Sequence, residues 1–223
     1  MKISILTLFP DMFTGPLTKS IVKRAIDRNL VSIDYINIRD FATNNYKSVD
    51  GHPFGGGAGM ILRVDVVDRA LQHVTRNALR VKTHVVLLDA GGTAYTQKKA
   101  RELATHDHLI LICGHYEGVD ARVRQLADEE ISIGDYVLTG GEIPAMVLAD
   151  SVVRLLPGVL KKEGATTRES FTGNLLEYPQ YTEPREYKGM KVPEILLSGN
   201  HAAIKSWQQK EAAARTRSRA KRI

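Results

Sequence analysis

Short apolar runs alternate along the chain with amphipathic stretches. "KISILTL" (Lys2–Leu8) predicts a buried strand, and "VSIDYINI" (Val31–Ile38) predicts a half-buried one from its apolar–polar alternation. Between them, Thr18–Asn29 places Ile21, Val22, Ala25 and Ile26 on one helical face. About twenty polar, Gly-rich residues follow, then a helix over Asp65–Leu79 with Val66, Val67, Ala70, Leu71 and Val74 at helical spacing. "THVVLLD" (Thr83–Asp89) and "HLILIC" (His108–Cys113) read as strands, separated by a helix near Thr96–Ala104. A helix near Asp120–Ala127, strands near Ile131 and Tyr136–Leu138, and a long apolar helix from Ile143 to Leu156 complete the series. This alternation predicts an α/β fold, a mostly parallel sheet with helices on both faces.

The pattern breaks after Pro157-Gly158. "LKKEGATTRESFTGN" (Leu160–Asn174) is polar and rich in Gly and Thr, as a linker or mobile loop would be. The remainder has few strand signals and one clear helical stretch, Gly199 to Arg217. The expected organisation is a domain over 1–160, a linker over 161–174 and a small helical domain over 175–223.

A length of 223 residues with 43% hydrophobic and 25% charged residues supports a sizeable core. No apolar run approaches the roughly 20 residues needed to cross a membrane. The opening "MKISILTLFPDMF" reads as a strand and not as a signal peptide, so a cytoplasmic protein is expected. Cys113 is the single cysteine, which rules out an intrachain disulfide and suits a buried core thiol. The net charge is +6, and Lys210–Ile223 carries +5 of it. Such a tail fits phosphate contacts on a nucleic acid, and equally a solvated helix end.

Ligands of open parallel sheets gather at the carboxyl ends of the strands. Three strand ends here carry glycines: "LLDAGG" with Asp89, Gly91 and Gly92, "ICGHYEGVD" with Gly114 and Gly118, and "SIGDYVLTGGE" with Gly134, Gly140 and Gly141. Each alone is compatible with a plain turn. Three at one sheet edge point to a shared site where backbone approaches a ligand.

Absences narrow the ligand. Gly-Lys never occurs, so there is no phosphate-cradling P-loop, and "GGGAGM" puts Met60 where a dinucleotide fingerprint needs its last Gly. No G-x-S-x-G elbow and no Cys/His set with zinc spacing is present; His106 and His108, flanking Asp107, read as a surface turn. The loops are poor in Lys and Arg. They suit adenosine with a short amino-acid tail: apolar walls for the base, backbone for its edges, carboxylates for an ammonium or sulfonium.

"DGHPFGGGAGM", "CGHYEGVDARV" and "SIGDYVLTGGEIPAMVLADSVVRLLPGVL" together resemble the bacterial tRNA (guanine-N1)-methyltransferase family, TrmD, of the SPOUT superfamily. The likeness runs from "ILTLFPDMF" to "PEILLSGNHAAIKSW", nearly the whole chain. It implies an α/β domain with a deep trefoil knot, a homodimer with a composite active site, and a helical C-terminal domain that binds the anticodon stem-loop of tRNA. The implied reaction is methyl transfer from S-adenosylmethionine to N1 of the guanine immediately 3' of the anticodon. The alternatives are a related SPOUT methyltransferase acting on another RNA position and a non-catalytic RNA-binding protein.

The resemblance implies site residues too. Ile133, Gly134, Asp135, Tyr136, Val137 and Leu138, with Gly140 and Gly141, would line the cofactor site. Gly114, Tyr116, Glu117, Gly118 and the strand end around Leu87–Ala90 would complete its wall, and Pro144 would start the helix behind it. Guanine N1 holds a proton that a carboxylate must take. The family's base is most often the Asp of a "(D/E)SF" motif; "RESF" offers Glu169 instead. Arg154 in "SVVRLLPG" matches the arginine assigned to the guanine oxygen. Taken alone, Arg154 is a helix-surface charge and Glu169 a solvated loop acid. The family's need for magnesium makes Glu117 and Glu177 candidates for that ion or for the methionine ammonium.

Overall fold

The structure is a computed structural model and describes residues 1–76, 81–160, 169–171, 173 and 175–220. The predicted end of the second helix (77–79), most of the linker, and Lys221 and Arg222 of the tail lie outside the described residues. The chain divides into two compact units, Met1–Lys161 and Lys162–Ile223.

The first unit holds strands β1 (Lys2–Thr7), β2 (Ser32–Asn37), β3 (Asp50–Gly51), β4 (Ile61–Leu62), β5 (Thr83–Ala94), β6 (His108–Cys113) and β7 (Glu129–Ser132). Its helices are α1 (Ser20–Asp27), α2 (Val64–Thr75), α3 (Gln97–Leu103) and α4 (Glu142–Val153). The main sheet has the order β2-β1-β6-β5-β7, and every pairing in it is parallel.

Strand periodicity separates two cores. Ile3 and Ile5 of β1, Leu109, Leu111 and Cys113 of β6, and Val86 and Leu88 of β5 face one way, against α1 and α4. Leu6, Ile110, Ile112, Val85 and Leu87 face the other, against α2. All six residues of β6 are buried. Each fully buried aliphatic side chain there contributes roughly 1.5–3 kcal/mol.

Three expectations need correction. Tyr136–Leu138 is not a strand: no neighbouring strand pairs with it, and it forms an exposed loop. The predicted helix near Asp120–Ala127 is a 3-10 helix, Ala121–Leu126, whose start is capped by the Asp120 carboxylate accepting from the Arg122 N–H. His108 is not in a surface turn: it is buried in β6, with Nε2 at 2.9 Å from Ser4 Oγ. Burial also lowers its pKa below the usual histidine value.

β5 runs further than expected, through Gly91 and Gly92 to Ala94. Both Leu88 and Thr93 pair with Ile131, so residues 89–92 bulge from the ladder. Gly92 is dictated by sterics, because a Cβ there would stand 2.6 Å from the Ile131 nitrogen and 2.7 Å from the Glu130 carbonyl carbon.

The second unit contains a small hairpin, β8 (Glu186–Tyr187) with β9 (Met190–Lys191), a short helix α5 (Glu194–Leu197) and the long helix α6 (His201–Ala220). Asn200 sets the start of α6, its Oδ1 accepting from the Ala203 N–H at 3.1 Å. On α6, Thr216 Oγ1 accepts from the Leu176 N–H at 2.8 Å, Arg215 donates to the Glu177 carbonyl at 2.6 Å, and the Arg219 guanidinium covers the Phe171 ring at 4.8 Å. Among the described residues no helix is long and apolar enough to cross a membrane.

Candidate active site

The carboxyl ends of β5, β6 and β7 open into one cavity of about 270 Å³. Its walls are Leu88–Ala90 at the β5 bulge and two Gly-bearing segments, Gly114–Val119 and Ile131–Gly134 continuing into Tyr136–Gly141; the expected Gly91 and Gly92 are not part of the lining. Pro144, in the first turn of α4, closes the back.

Backbone geometry explains these sequences. β6 ends at Cys113, and the chain turns through Tyr116 at φ 61° and Gly118 at φ 111°, with the Gly118 N–H bonded to the His115 carbonyl at 3.1 Å. A left-handed tyrosine persists because its loop is pinned from outside. The Glu117 N–H donates to the Met60 carbonyl, the Leu62 N–H to the Gly118 carbonyl, and the Asp120 N–H to the Leu62 carbonyl, at 2.9–3.0 Å. The "GGGAGM" segment thus packs beside the cavity loop. Gly59 leaves the space that the Glu117 side chain fills.

The returning loop is fitted as closely. A Cβ on Gly141 would lie 2.7 Å from Cys113 Cα and 3.0 Å from the Gly114 nitrogen, so only glycine passes there. Gly134 sits between the Ser132 hydroxyl, which bonds its backbone, and the Tyr136 N–H, which donates to its carbonyl at 2.9 Å.

Every predicted cofactor residue lines this cavity except Leu87 and Asp135. Leu87 is fully buried on the opposite face of β5; one position on, Leu88 forms the wall. His115, Val119, Ile131, Ser132 and Thr139 also line it and were not singled out from sequence. His115 stands inside the quoted "GHYEG" motif, so its place was the available signal.

Among the described residues no Lys or Arg lines the cavity, whereas Asp89 and Glu117 do. Asp89 is oriented by the Gly91 N–H at 2.8 Å and faces Arg124 at 3.5 Å. Beneath the floor, burial and the nearby Glu142 push the Cys113 thiol well above its usual range, so it stays protonated and is no nucleophile. Among the described residues no group of three or more His, Cys, Asp or Glu is placed to hold a metal ion.

The two predicted catalytic residues lie outside this cavity. Arg154 directly follows α4, half-buried, in the first unit. Glu169 belongs to the second unit, also half-buried, next to Ser170, whose Oγ accepts from the Glu177 N–H at 3.0 Å.

Residues 1–223 match the family described as tRNA (Guanine-1)-methyltransferase TrmD. The chain belongs to that family. A tRNA (guanine-N(1)-)-methyltransferase of Geobacillus kaustophilus is 56% identical over 217 residues, which are 97% of this chain and 88% of that protein. The protein of the same name from Bacillus pumilus is 53% identical over 220 residues, 98% of this chain and 90% of its own. The crystal structure of tRNA (m1G37) methyltransferase from Aquifex aeolicus superposes with a TM-score of 0.82 at 38% identity, covering 99% of this chain and 93% of that one. TrmD similarity therefore spans both compact units, and the glycine-lined cavity is part of a TrmD-family chain.

Proposed function

We propose that this chain transfers the methyl group of S-adenosylmethionine to N1 of the guanine immediately 3' of the anticodon in tRNA. The observation that carries this reading is the cavity lined by the Gly114–Gly118 and Gly134–Gly141 loops in a chain of this family. Its residues fit the cofactor. Leu88, Ile133, Val137 and Leu138 give apolar walls, the glycines expose backbone donors and acceptors, and the carboxylates of Asp89 and Glu117 complement a cationic tail in a cavity that no described Lys or Arg lines. When bound, S-adenosylmethionine supplies an electrophilic methyl group on its sulfonium.

The chain's own residues supply the rest. Glu169 takes the proton from guanine N1 as general base, which turns a poor nucleophile into a good one. Arg154 offsets the charge that builds on the guanine oxygen.

A deep trefoil knot around the cavity belongs to this reading. It is supported by the return of the chain after β7 to the end of β6, where Gly140 pairs with His115. So does a homodimer, supported by α4, whose apolar Ile143 and Val147 stay exposed one turn apart. In that dimer, the site joins Arg154 and the cavity of one subunit to Glu169 of the other. Exposed Lys205, Lys210 and Arg217 on α6 would meet tRNA phosphates, and the enzyme would work in the cytoplasm.

The test is incubation of tRNA with the protein and S-adenosylmethionine, followed by nuclease digestion and mass spectrometry. The reading predicts 1-methylguanosine next to the anticodon. A methyl group at another nucleotide, or none, overturns it.

A further inference from the structure

Beneath the cavity lies a polar cluster that the proposed reaction does not use. Glu142, the first residue of α4, is a carboxylate with 1% of its surface exposed. Its Oε1 accepts from the Thr7 hydroxyl at 2.7 Å, and Thr7 Oγ1 in turn accepts from the Phe9 N–H at 2.9 Å. Its Oε2 faces His115 Nδ1 at 3.7 Å. That Nδ1 is buried and has no hydrogen-bond partner. The imidazole is held between the Phe9 ring at 4.7 Å and the edge of Tyr116 at 5.0 Å.

Leaving Nδ1 unsatisfied is costly, since a buried polar group without a partner loses its hydration for nothing. Glu142 Oε2 is the carboxylate oxygen that faces it. One hydrogen between Oε2 and Nδ1, whichever atom owns it, satisfies the imidazole nitrogen. Gly140 makes the approach possible. A Cβ there would stand 2.5 Å from His115 Nδ1 and would also collide with Glu142 Oε2.

We infer that Glu142 is a positioning residue that acts through His115: the pair braces the Gly140–Gly141 turn against the Gly114–Gly118 loop and so sets the shape of the cofactor cavity. It joins the end of β1, the loop that follows β6 and the start of α4 under the cavity floor. The inference rests on the reading of that cavity as the S-adenosylmethionine site.

Calorimetry of S-adenosylmethionine binding to the full chain tests it, with steady-state kinetics beside it. His115→Phe fills the space but offers no donor, and Glu142→Gln keeps the shape but loses the charge. Each should weaken binding on the order of tenfold, with kcat at saturating cofactor far less affected. The double variant should be no worse than the poorer single one, because the two changes break the same interaction. His115→Asn places an amide donor near the position of Nδ1, whereas His115→Gln places it near Nε2. Asn should recover most of the affinity and Gln should not. Both are polar changes at a partly exposed position, which keeps this comparison open should the Phe variant fail to fold. Additive losses in the double variant, or equal affinities for Asn and Gln, overturn the pair while the cofactor site stands. No binding of S-adenosylmethionine by the wild-type chain overturns the cavity reading itself, and the pair with it.

Discussion

The Gly141 N–H donates to the Gly114 carbonyl at 2.8 Å, and no side chain separates the two backbones. This hydrogen bond ties the turn that enters α4 to the loop that leaves β6, and the cavity lies across the seam. Gly141 is therefore structural before it is functional, whereas a Cβ on Gly114 would meet only ordinary contacts, Val119 at 3.5 Å and the Leu88 carbonyl oxygen at 3.7 Å. Gly141→Ala would press a methyl group against Cys113 Cα and the Gly114 nitrogen, backbone that cannot give way. We expect a loss of about 1–3 kcal/mol, read as a lower urea midpoint at unchanged slope. Gly118→Ala meets open space and suffers only from its φ of 111°. It should cost less, and a reversed order would contradict the close approach at Gly141.

Glu169 and Arg154 are tested together. Glu169→Gln is nearly isosteric but cannot take a proton near neutrality. Turnover should fall on the order of 100-fold with cofactor affinity little changed, and Glu169→Asp should recover part of it. Arg154→Ala and Glu169→Ala subunits allowed to exchange give mixed dimers in half of the random pairings. A composite site then restores about one quarter of wild-type activity. No recovery, with exchange verified by mass spectrometry, means that both residues act within one chain.

The basic helix α6 calls for selective changes. Deleting it from Arg215 onward would remove the bonds from Arg215 and Thr216 that hold residues 176 and 177, mixing folding with binding. Lys210→Ala with Arg217→Ala removes two exposed charges and leaves those bonds intact. If both touch phosphate, the slope of log affinity against log salt should flatten by about 0.7–0.9 for each phosphate no longer neutralised. An unchanged slope would assign these charges to solubility.

Asp120 provides a pH signature for the loop beside the cavity. Its side-chain bond to Arg122, with the Arg122 backbone N–H, holds the carboxyl down to about 2, against 3.8 ordinarily. A depressed folded-state pKa gives stability that is fully present above 3.8 and is lost as pH falls through about 2. The difference in melting temperature between wild type and Asp120→Asn should therefore shrink as pH drops from about 4 towards 2. A constant difference would show that the bond does not form in solution.

Much of the fold was legible because β1, β5 and β6 are built on short apolar runs and α1 and α2 carry clear helical spacing. Tyr136–Leu138 misled because an apolar triplet reads as a strand wherever it stands, yet here its side chains border a cavity and no strand lies alongside. Leu87 and Leu88 differ only in which face of β5 they occupy, and one residue of register decides which meets the cavity. The bulge at 89–92 was hidden because its cause, the close approach of Gly92 to residues 130 and 131, is tertiary. The pairing of His115 with Glu142 was hidden for the same reason: each looks ordinary in its own segment, and only the return of the chain after β7 brings them together.

The central claim, methyl transfer to N1 of the guanine 3' of the anticodon, is tested most directly by two tRNA transcripts that differ only there, one with guanine and one with adenine. Each is incubated with the protein and S-adenosylmethionine labelled on the methyl group, and incorporation is measured. The account predicts about one methyl per guanine transcript, recovered as 1-methylguanosine, and none in the adenine transcript. Equal labelling of the two transcripts would contradict it.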